Sequence, residues 1–349
     1  MMWIFVILIG LFVNHIESGS ISTYLGCYSA LQQRTTNATT TTPELCTSHC
    51  TSLNLPYSAT RNGNECYCFE TAANISSTPC EEENALSVVF TNILNLSASN
   101  STKRGLCWFW DNPPVVYDYF SPKALTWLYN WQLFDLRKNG TFSEAEFVPM
   151  CATELDAHAL PLVFSTCHAK YLLGFNEPDM PVSVGGSLIS PYNASVLWKT
   201  YIQPLKEKCG LQLGAPAVSN SPAAHQGMHW LQEFFGNCTA PSCTFDFIPF
   251  HWYGNPLSNF QAYVEKFHAA YPKYPLWITE WQFGGISAEQ TAIAELQALQ
   301  WLDSQEYIAR YSMFAPSTAE LMNYVPNGAM VESDFSGLTD VGRVYAGLM

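Results

Sequence analysis

Two glutamates stand out because each follows an apolar run at the point where the chain turns polar. The first lies in Tyr171-Leu172-Leu173-Gly174-Phe175-Asn176-Glu177-Pro178-Asp179, the second in Pro275-Leu276-Trp277-Ile278-Thr279-Glu280-Trp281. Pro178 has no backbone donor and stops the strand before it, which fixes Glu177 at a strand end. An isolated Glu is usually a solvated loop residue or half of an ion pair. Here both are flanked by aromatics or proline, and residues 103–349 hold only four arginines, Arg104, Arg137, Arg310 and Arg343. Two facing carboxyls suit cleavage of a glycosidic bond: a protonated one gives its proton to the leaving oxygen, and an ionised one meets the positive charge growing at the anomeric carbon. Their environments should push their pKa values apart. A retaining pair stands ~5–5.5 Å apart and an inverting pair ~6.5–9.5 Å; sequence alone sets no distance.

Such side chains need strands that end at a common rim. Short apolar runs rich in β-branched and aromatic residues recur at 104–110, 125–131, 146–152, 171–176, 212–218, 246–253, 276–280 and 310–315. Helical patterns lie between them, clearest at 192–208 and 287–304. In the latter, Ile293, Leu296, Leu299 and Leu302 recur at helical spacing and Ser287 with Gln290 makes a capping-box pattern. Alternating strand and helix implies a parallel sheet. Eight units within the ~250 residues usual for the fold predict an α/β chain closed as a (β/α)8 TIM barrel over 103–349. No Gly-x-Gly-x-x-Gly turn points to an open doubly wound sheet instead. Barrels of this kind keep their chemistry at the C-terminal strand ends, which sets Glu177 on the fourth strand opposite Glu280 on the seventh.

Other residues at these ends become candidate substrate contacts. His251-Trp252-Tyr253 closes the sixth strand; Tyr253 is expected to hydrogen-bond Glu280 and hold it ionised, and His251 is either a satisfied core histidine or a support for the pair. Trp131 and Trp281 are expected as sugar platforms, with Trp252 beside them. Asn130 and Asn220 are expected to serve sugar hydroxyls. Trp108 and Trp110 alternate along the first strand, so they share one side and one of them is expected to reach the pocket.

The chain has 349 residues, of which 48% are hydrophobic and 13% charged, and a net charge of −14. Without any Lys/Arg-rich run, that acidity would repel a phosphate backbone or an anionic membrane, so neither nucleic acid nor membrane is an expected partner. An apolar run at 3–13 followed by polar residues predicts a signal peptide over 1–20, too short to span a bilayer. Sequons at Asn37, Asn74, Asn95, Asn100, Asn139, Asn193 and Asn237 and twelve cysteines predict a secreted glycoprotein, extracellular or in a cell wall. Cys27, Cys46, Cys50, Cys66, Cys68 and Cys80 define a small disulfide-rich module over 21–94, with fifteen pairings open. Residues 95–102 read as a glycosylated linker. Cys167 and Cys209 precede the fourth and fifth strands and suit a disulfide at the barrel bottom; Cys238 and Cys243 suit a small closed loop. Cys107 and Cys151 are either buried thiols or a pair. No serine-hydrolase elbow, His-Glu-x-x-His or P-loop occurs. No metal or organic cofactor is expected, and the protein is expected to act as a monomer.

Gly26-Cys27-Tyr28, the Cys46/Cys50 spacing and Glu65-Cys66-Tyr67-Cys68 resemble the WSC domain, a small extracellular module associated with cell-wall carbohydrate, although that family usually carries eight cysteines and a Gly where Phe69 stands. Phe175-Asn176-Glu177-Pro178-Asp179, His251-Trp252-Tyr253 and Trp277-Ile278-Thr279-Glu280-Trp281, with Lys103-Arg104-Gly105-Leu106 and Phe147-Val148-Pro149-Met150, resemble the catalytic core of glycoside hydrolase family 128 over essentially all of 103–349. That resemblance implies a clan-A barrel and a retaining β-1,3-glucanase, expected to act as an endo-enzyme on glucan polysaccharide or oligosaccharide. It makes Glu177 the acid/base, Glu280 the nucleophile and Asn176 the partner of the 2-hydroxyl beside the scissile bond. Two rivals stand beside it: a non-catalytic glucan-binding wall or surface protein, which needs neither glutamate, and a clan-A hydrolase of another linkage, a β-1,4-glucanase or mannanase.

Overall fold

Every one of the eight predicted runs holds a strand, but most of the strands are shorter than the runs. The computed structural model describes residues 101–348, apart from 110–111, 121–124, 137–144, 240–241, 315 and 323, together with five strands and Cys46 and Cys50 of the front segment. The predicted signal peptide, most of the predicted linker and the Asn74, Asn95, Asn100 and Asn139 sequons lie outside the described residues. The chain divides into two compact units between Ser97 and Ala98.

In the front unit, β1 (Thr23–Tyr28), β2 (Thr36–Thr39), β3 (Tyr57–Arg61), β4 (Glu65–Phe69) and β5 (Leu86–Phe90) form an antiparallel sheet in the order β1-β5-β3-β4-β2. Cys46 bonds Cys66 and Cys50 bonds Cys68, and all four sulfurs are buried. The pairing matches two periodicities, since residues four apart share a helix face and residues two apart share a strand face. The side chain of Cys27 and all of Cys80 fall outside the described residues.

In the second unit the strands are β6 (Gly105–Cys107), β7 (Trp127–Tyr129), β8 (Glu146–Phe147), β9 (Tyr171–Leu172), β10 (Gln212–Leu213), β11 (Ile248–Gly254), β12 (Leu276–Phe283) and β13 (Ile308–Tyr311). They form three small parallel sheets, β6-β7-β8, β9-β10 and β11-β12-β13. Single parallel bridges connect neighbouring sheets: Met150 to Leu173, Gly214 to Phe247, Val218 to Phe250 and, between the last strand and the first, Tyr311 to Arg104. The predicted cylinder is therefore not one continuous ladder. Pro149 and Pro216 stand inside two of the predicted runs and withhold the donors a longer ladder needs.

Helices α1 (Val115–Tyr119), α2 (Glu154–Val163), α3 (Pro191–Leu197), α4 (Gln203–Cys209), α5 (Gly227–Asn237), α6 (Leu257–Ala270), α7 (Ala288–Ser304) and α8 (Asp340–Tyr345) lie along the same unit. The Ser287–Gln290 capping box opens α7 as its sequence predicts. A π-turn, Trp198–Ile202, joins α3 to α4. Pro204 accounts for it, because its ring and missing donor are incompatible with a regular helix one turn earlier. Cys167 bonds Cys209 and Cys238 bonds Cys243, while Cys107 and Cys151 are buried free thiols.

The interior is aromatic. Trp127, Tyr129, Val148, Met150, Leu173, Phe247 and Trp277 share one buried cluster. Beneath it the guanidinium of Arg310 lies 4.4 Å from the Trp277 ring centroid, 4.6 Å from that of Tyr171 and 5.4 Å from that of Trp127, and it pairs with Glu146. Arg310→Met keeps the bulk but loses the cation–π contacts and the ion pair. A loss of about 1–3 kcal/mol of stability is expected, read as a lowered urea midpoint at unchanged m-value.

Candidate active site

After β9 the chain reaches Asn176, bridged to Ala217, and Glu177, whose N–H donates to the Ala217 carbonyl at 2.8 Å. Glu177 has φ +37°, a left-handed conformation that costs a non-glycine residue of order 1–3 kcal/mol and persists where its surroundings over-determine it. Here the following loop folds back, and Ser187 N–H reaches both the Asn176 and Glu177 carbonyls at 3.1 and 3.2 Å. Gly186 passes so closely that a Cβ would stand 2.2 Å from Met180 O and 2.7 Å from Glu177 O.

Glu280 owes its direction to one inserted residue. β11 and β12 run parallel with Phe250 opposite Ile278 and His251 opposite Glu280, so Thr279 is the extra residue of a bulge. Strict alternation would turn Glu280 away from the side of Trp277, which faces the interior; the bulge returns it to that side. Glu280 is only 4% exposed. Trp131 Nε1 donates to its Oε1 at 2.7 Å and the Tyr253 hydroxyl to its Oε2 at 2.6 Å. The Tyr129 hydroxyl donates to Thr279 O at 3.0 Å and lies 3.5 Å from Glu280 Oε1. Burial, then the charge of Glu280, pushes both phenols well above their ordinary pKa, which keeps them donors.

His251 joins the two carboxyls. It is fully buried, with Nδ1 2.9 Å from Glu177 Oε1 and Nε2 3.5 Å from Glu280 Oε1. Burial raises the Glu177 pKa above the usual carboxylate range; the hydrogen bond and charge of His251 oppose this, while Glu280 and Asp179 add to it. For His251, burial works downward but Glu280 and Glu177 outweigh it, and the imidazole holds its proton to higher pH than usual. One donor atom from each of Glu177, His251 and Glu280 lies within 4.8 Å of the others. Such a set could ligand a cation, yet its atoms already serve hydrogen bonds from Trp131 and between His251 and Glu177. The arrangement is a hydrogen-bonded carboxyl pair.

Half-buried aromatic rings surround it. Phe109 meets Trp131 at 5.3 Å and Phe314 at 5.7 Å, and Tyr253 meets Phe314 at 5.5 Å, all edge to face. Phe109, Phe314 and Tyr129 were not singled out from sequence, although Phe109 shares a strand face with Cys107 by simple alternation. Trp108 instead stacks on Tyr117, and Trp110 is outside the described residues. Two expected contacts are corrected. Trp281 is 0% exposed and stacks on Phe260 of α6, and Trp252 packs on Phe260 and Phe283, so the bulge and alternation turn both toward the helices with no face for a sugar. The Asn220 side chain grips the backbone of Tyr253, donating to its carbonyl at 2.9 Å and accepting from its N–H at 3.2 Å. Asn130 donates to Phe134 O and Asn176 to Gly185 O, and the Oδ1 of each is buried without a hydrogen-bond partner.

Residues 105–345 match the family described as glycosyl hydrolase catalytic core. The alkali-sensitive linkage protein 1 of Schizosaccharomyces pombe is 35% identical over 256 residues, covering 71% of this chain; the chain spans 45% of that curated relative's length. A GH128 (subgroup III) curdlan-specific exo-β-1,3-glucanase from Blastomyces gilchristii, solved with glucose, is 30% identical with a TM-score of 0.55, over 71% of this chain and 98% of the other. A GH128 (subgroup I) endo-β-1,3-glucanase from Amycolatopsis mediterranei, solved with laminaritriose, is 25% identical with a TM-score of 0.57, over 71% of this chain and all of the other. The match over residues 105–345 is decisive for the family: the chain belongs to the glycosyl hydrolase catalytic core family, with GH128 enzymes as structural neighbours.

Proposed function

We propose that the protein is a secreted, retaining endo-β-1,3-glucanase that works on a (β/α)8 barrel with Glu177 as acid/base and Glu280 as nucleophile. The observation that carries this reading is the closeness of the pair: one oxygen of each glutamate lies within 4.8 Å of the other and His251 faces both, which favours the short separation of a retaining pair over the longer one of an inverting pair. The barrel is supported by eight parallel strands in order, with bridges from Met150 to Leu173, Gly214 to Phe247 and Tyr311 to Arg104. Substrate class is supported by the β-1,3-glucanases among its structural neighbours. The apolar run at 3–13, exposed Asn193 and Asn237 and the four disulfides among the described residues support secretion.

In the first step Glu177 gives its proton to the leaving glycosidic oxygen while a Glu280 oxygen bonds the anomeric carbon. The C–O bond to the leaving sugar breaks and its electron pair takes the proton. Forming the ester removes the negative charge of Glu280, one of the causes that raise the Glu177 pKa. The Glu177 pKa then falls, which leaves its carboxylate ionised and free to take a proton from water as the water oxygen displaces Glu280. Asn176 Oδ1, buried without a partner, suits the 2-hydroxyl, and Trp131 is the sugar platform.

Hydrolysis of a panel of linkage-defined oligosaccharides tests the reading. Cleavage of β-1,3 but not β-1,4 linkages, with the β-anomer released first by NMR, is expected. Release of the α-anomer, or preference for β-1,4 substrates, would sink the retaining or the linkage assignment. Internal cleavage products from reduced laminari-oligosaccharides separate endo from exo action.

A further inference from the structure

Asp179 has no part in the chemistry above, yet it is 5% exposed and its carboxylate accepts three hydrogen bonds from elsewhere in the chain. Ser219 N–H donates to Oδ1 at 3.1 Å, the Ser219 hydroxyl to Oδ2 at 2.5 Å, and Gly227 N–H at the start of α5 to Oδ2 at 2.8 Å. All three donors are neutral, so a buried anion is held by dipoles from two segments about 40 or more residues away in sequence. The Gly227 donor is available because residue 227 takes φ +52° and approaches Ser221 O to within 2.4 Å of where a Cβ would stand.

The next links run from Ser219 to the other side of the site. Its neighbour Asn220 clasps the Tyr253 backbone in both directions, and Tyr253 donates to Glu280. At the other end Asp179 lies two residues after Glu177, whose N–H is tied to Ala217, two residues before Ser219. We propose that Asp179 is a positioning residue: it locks the Glu177 loop to the Ser219–Asn220 segment and, through Asn220 and Tyr253, sets the spacing between the two carboxyls. This rests on the glucanase reading above. A wedge of neutral hydrogen bonds suits the task, since an arginine partner for Asp179 would put a cation beside Glu177, lower its pKa and strip it of the proton it must donate. The left-handed backbone at Glu177 is the kind of conformation such a brace must over-determine.

Asp179 also acts by charge. The groups that face Glu177 are His251 and Tyr253 on β11, Glu280 on β12, Tyr129 on β7 and Tyr263 on α6, with Asp179 on its own loop. The negative charge of Asp179 helps hold the proton on Glu177 and on His251.

Asp179→Asn removes the charge and sets an N–H₂ where one carboxylate oxygen accepts, so it opposes either Ser219 N–H or the pair of Gly227 N–H and the Ser219 hydroxyl. The expected result on laminari-oligosaccharides is a kcat lower by about 10–100-fold with KM changed less than about threefold, and an alkaline limb of the pH–rate profile moved to lower pH. Ser219→Ala removes one bond of the three and keeps the charge; its kcat is expected to fall by less, about 3–10-fold, with the limb in place. A kcat within twofold of wild type and an unmoved limb in Asp179→Asn, alongside inactive Glu177→Gln and Glu280→Gln, would overturn the brace and leave the glucanase reading standing. Activity retained in both glutamine variants would instead remove that reading. If Asp179→Asn does not fold, an unchanged kcat in Ser219→Ala overturns the proposal.

Discussion

Glu280→Gln is expected to lower kcat on laminari-oligosaccharides by on the order of 10⁵-fold or more, the scale seen when a hydrolase loses its covalent nucleophile. Binding should survive, because the substitution is nearly neutral in shape and in hydrogen bonding. The amide oxygen can accept from Trp131 Nε1 as Oε1 does now, and the amide N–H₂ can face the Tyr253 hydroxyl, which rotates to accept. What is lost is the electron pair that forms the ester and the charge that opposes the growing oxocarbenium ion. His251 loses one of the charges that keep it protonated, so it should titrate at lower pH in the variant. Steady-state kinetics with calorimetric affinity for laminaritriose checks both halves. Turnover above a hundredth of wild type would show that another group attacks the anomeric carbon.

Most of this site was visible in the sequence because its parts follow from strand ends. Glu177 could be placed from Pro178 and the apolar run before it, and Tyr253 from its place at the end of the sixth strand. The eight runs were legible for the same reason, though their lengths were not: Pro149 and Pro216 look like ordinary strand-run residues until the ladder around them is seen to break. The Thr279 bulge is the deeper loss. One extra residue in a parallel pair leaves no mark on composition or periodicity, and it decides that Glu280 faces the interior while Trp281 faces α6. The expectation of Trp281 as a platform failed there. Phe109 and Phe314 went unread because a lone Phe on a buried strand is normally core. The link through His251 depends on distances between three strands, which no local pattern encodes.

Substituting Glu177 should divide substrates by their leaving groups. Burial, Glu280 and Asp179 together keep its proton above the usual carboxylate range, so wild-type activity on laminari-oligosaccharides should fall as pH rises through the Glu177 pKa, when the acid form is lost. In Glu177→Ala that alkaline limb should disappear along with about 10²–10⁴-fold of kcat, the contribution of one positioned acid. An aryl β-glucoside with a strongly acidic phenol needs no proton to depart, so its glycosylation step should stay close to the wild-type rate. The second step should then stall, because no base remains to activate water: a burst of phenol followed by slow turnover is expected. Azide, which needs no base, should restore turnover and give the glycosyl azide of retained configuration, since it displaces Glu280 from the face the phenol left. Equal losses on natural and activated substrates, without a burst or azide rescue, would mean that Glu177 supports the fold of the site and another group is the acid.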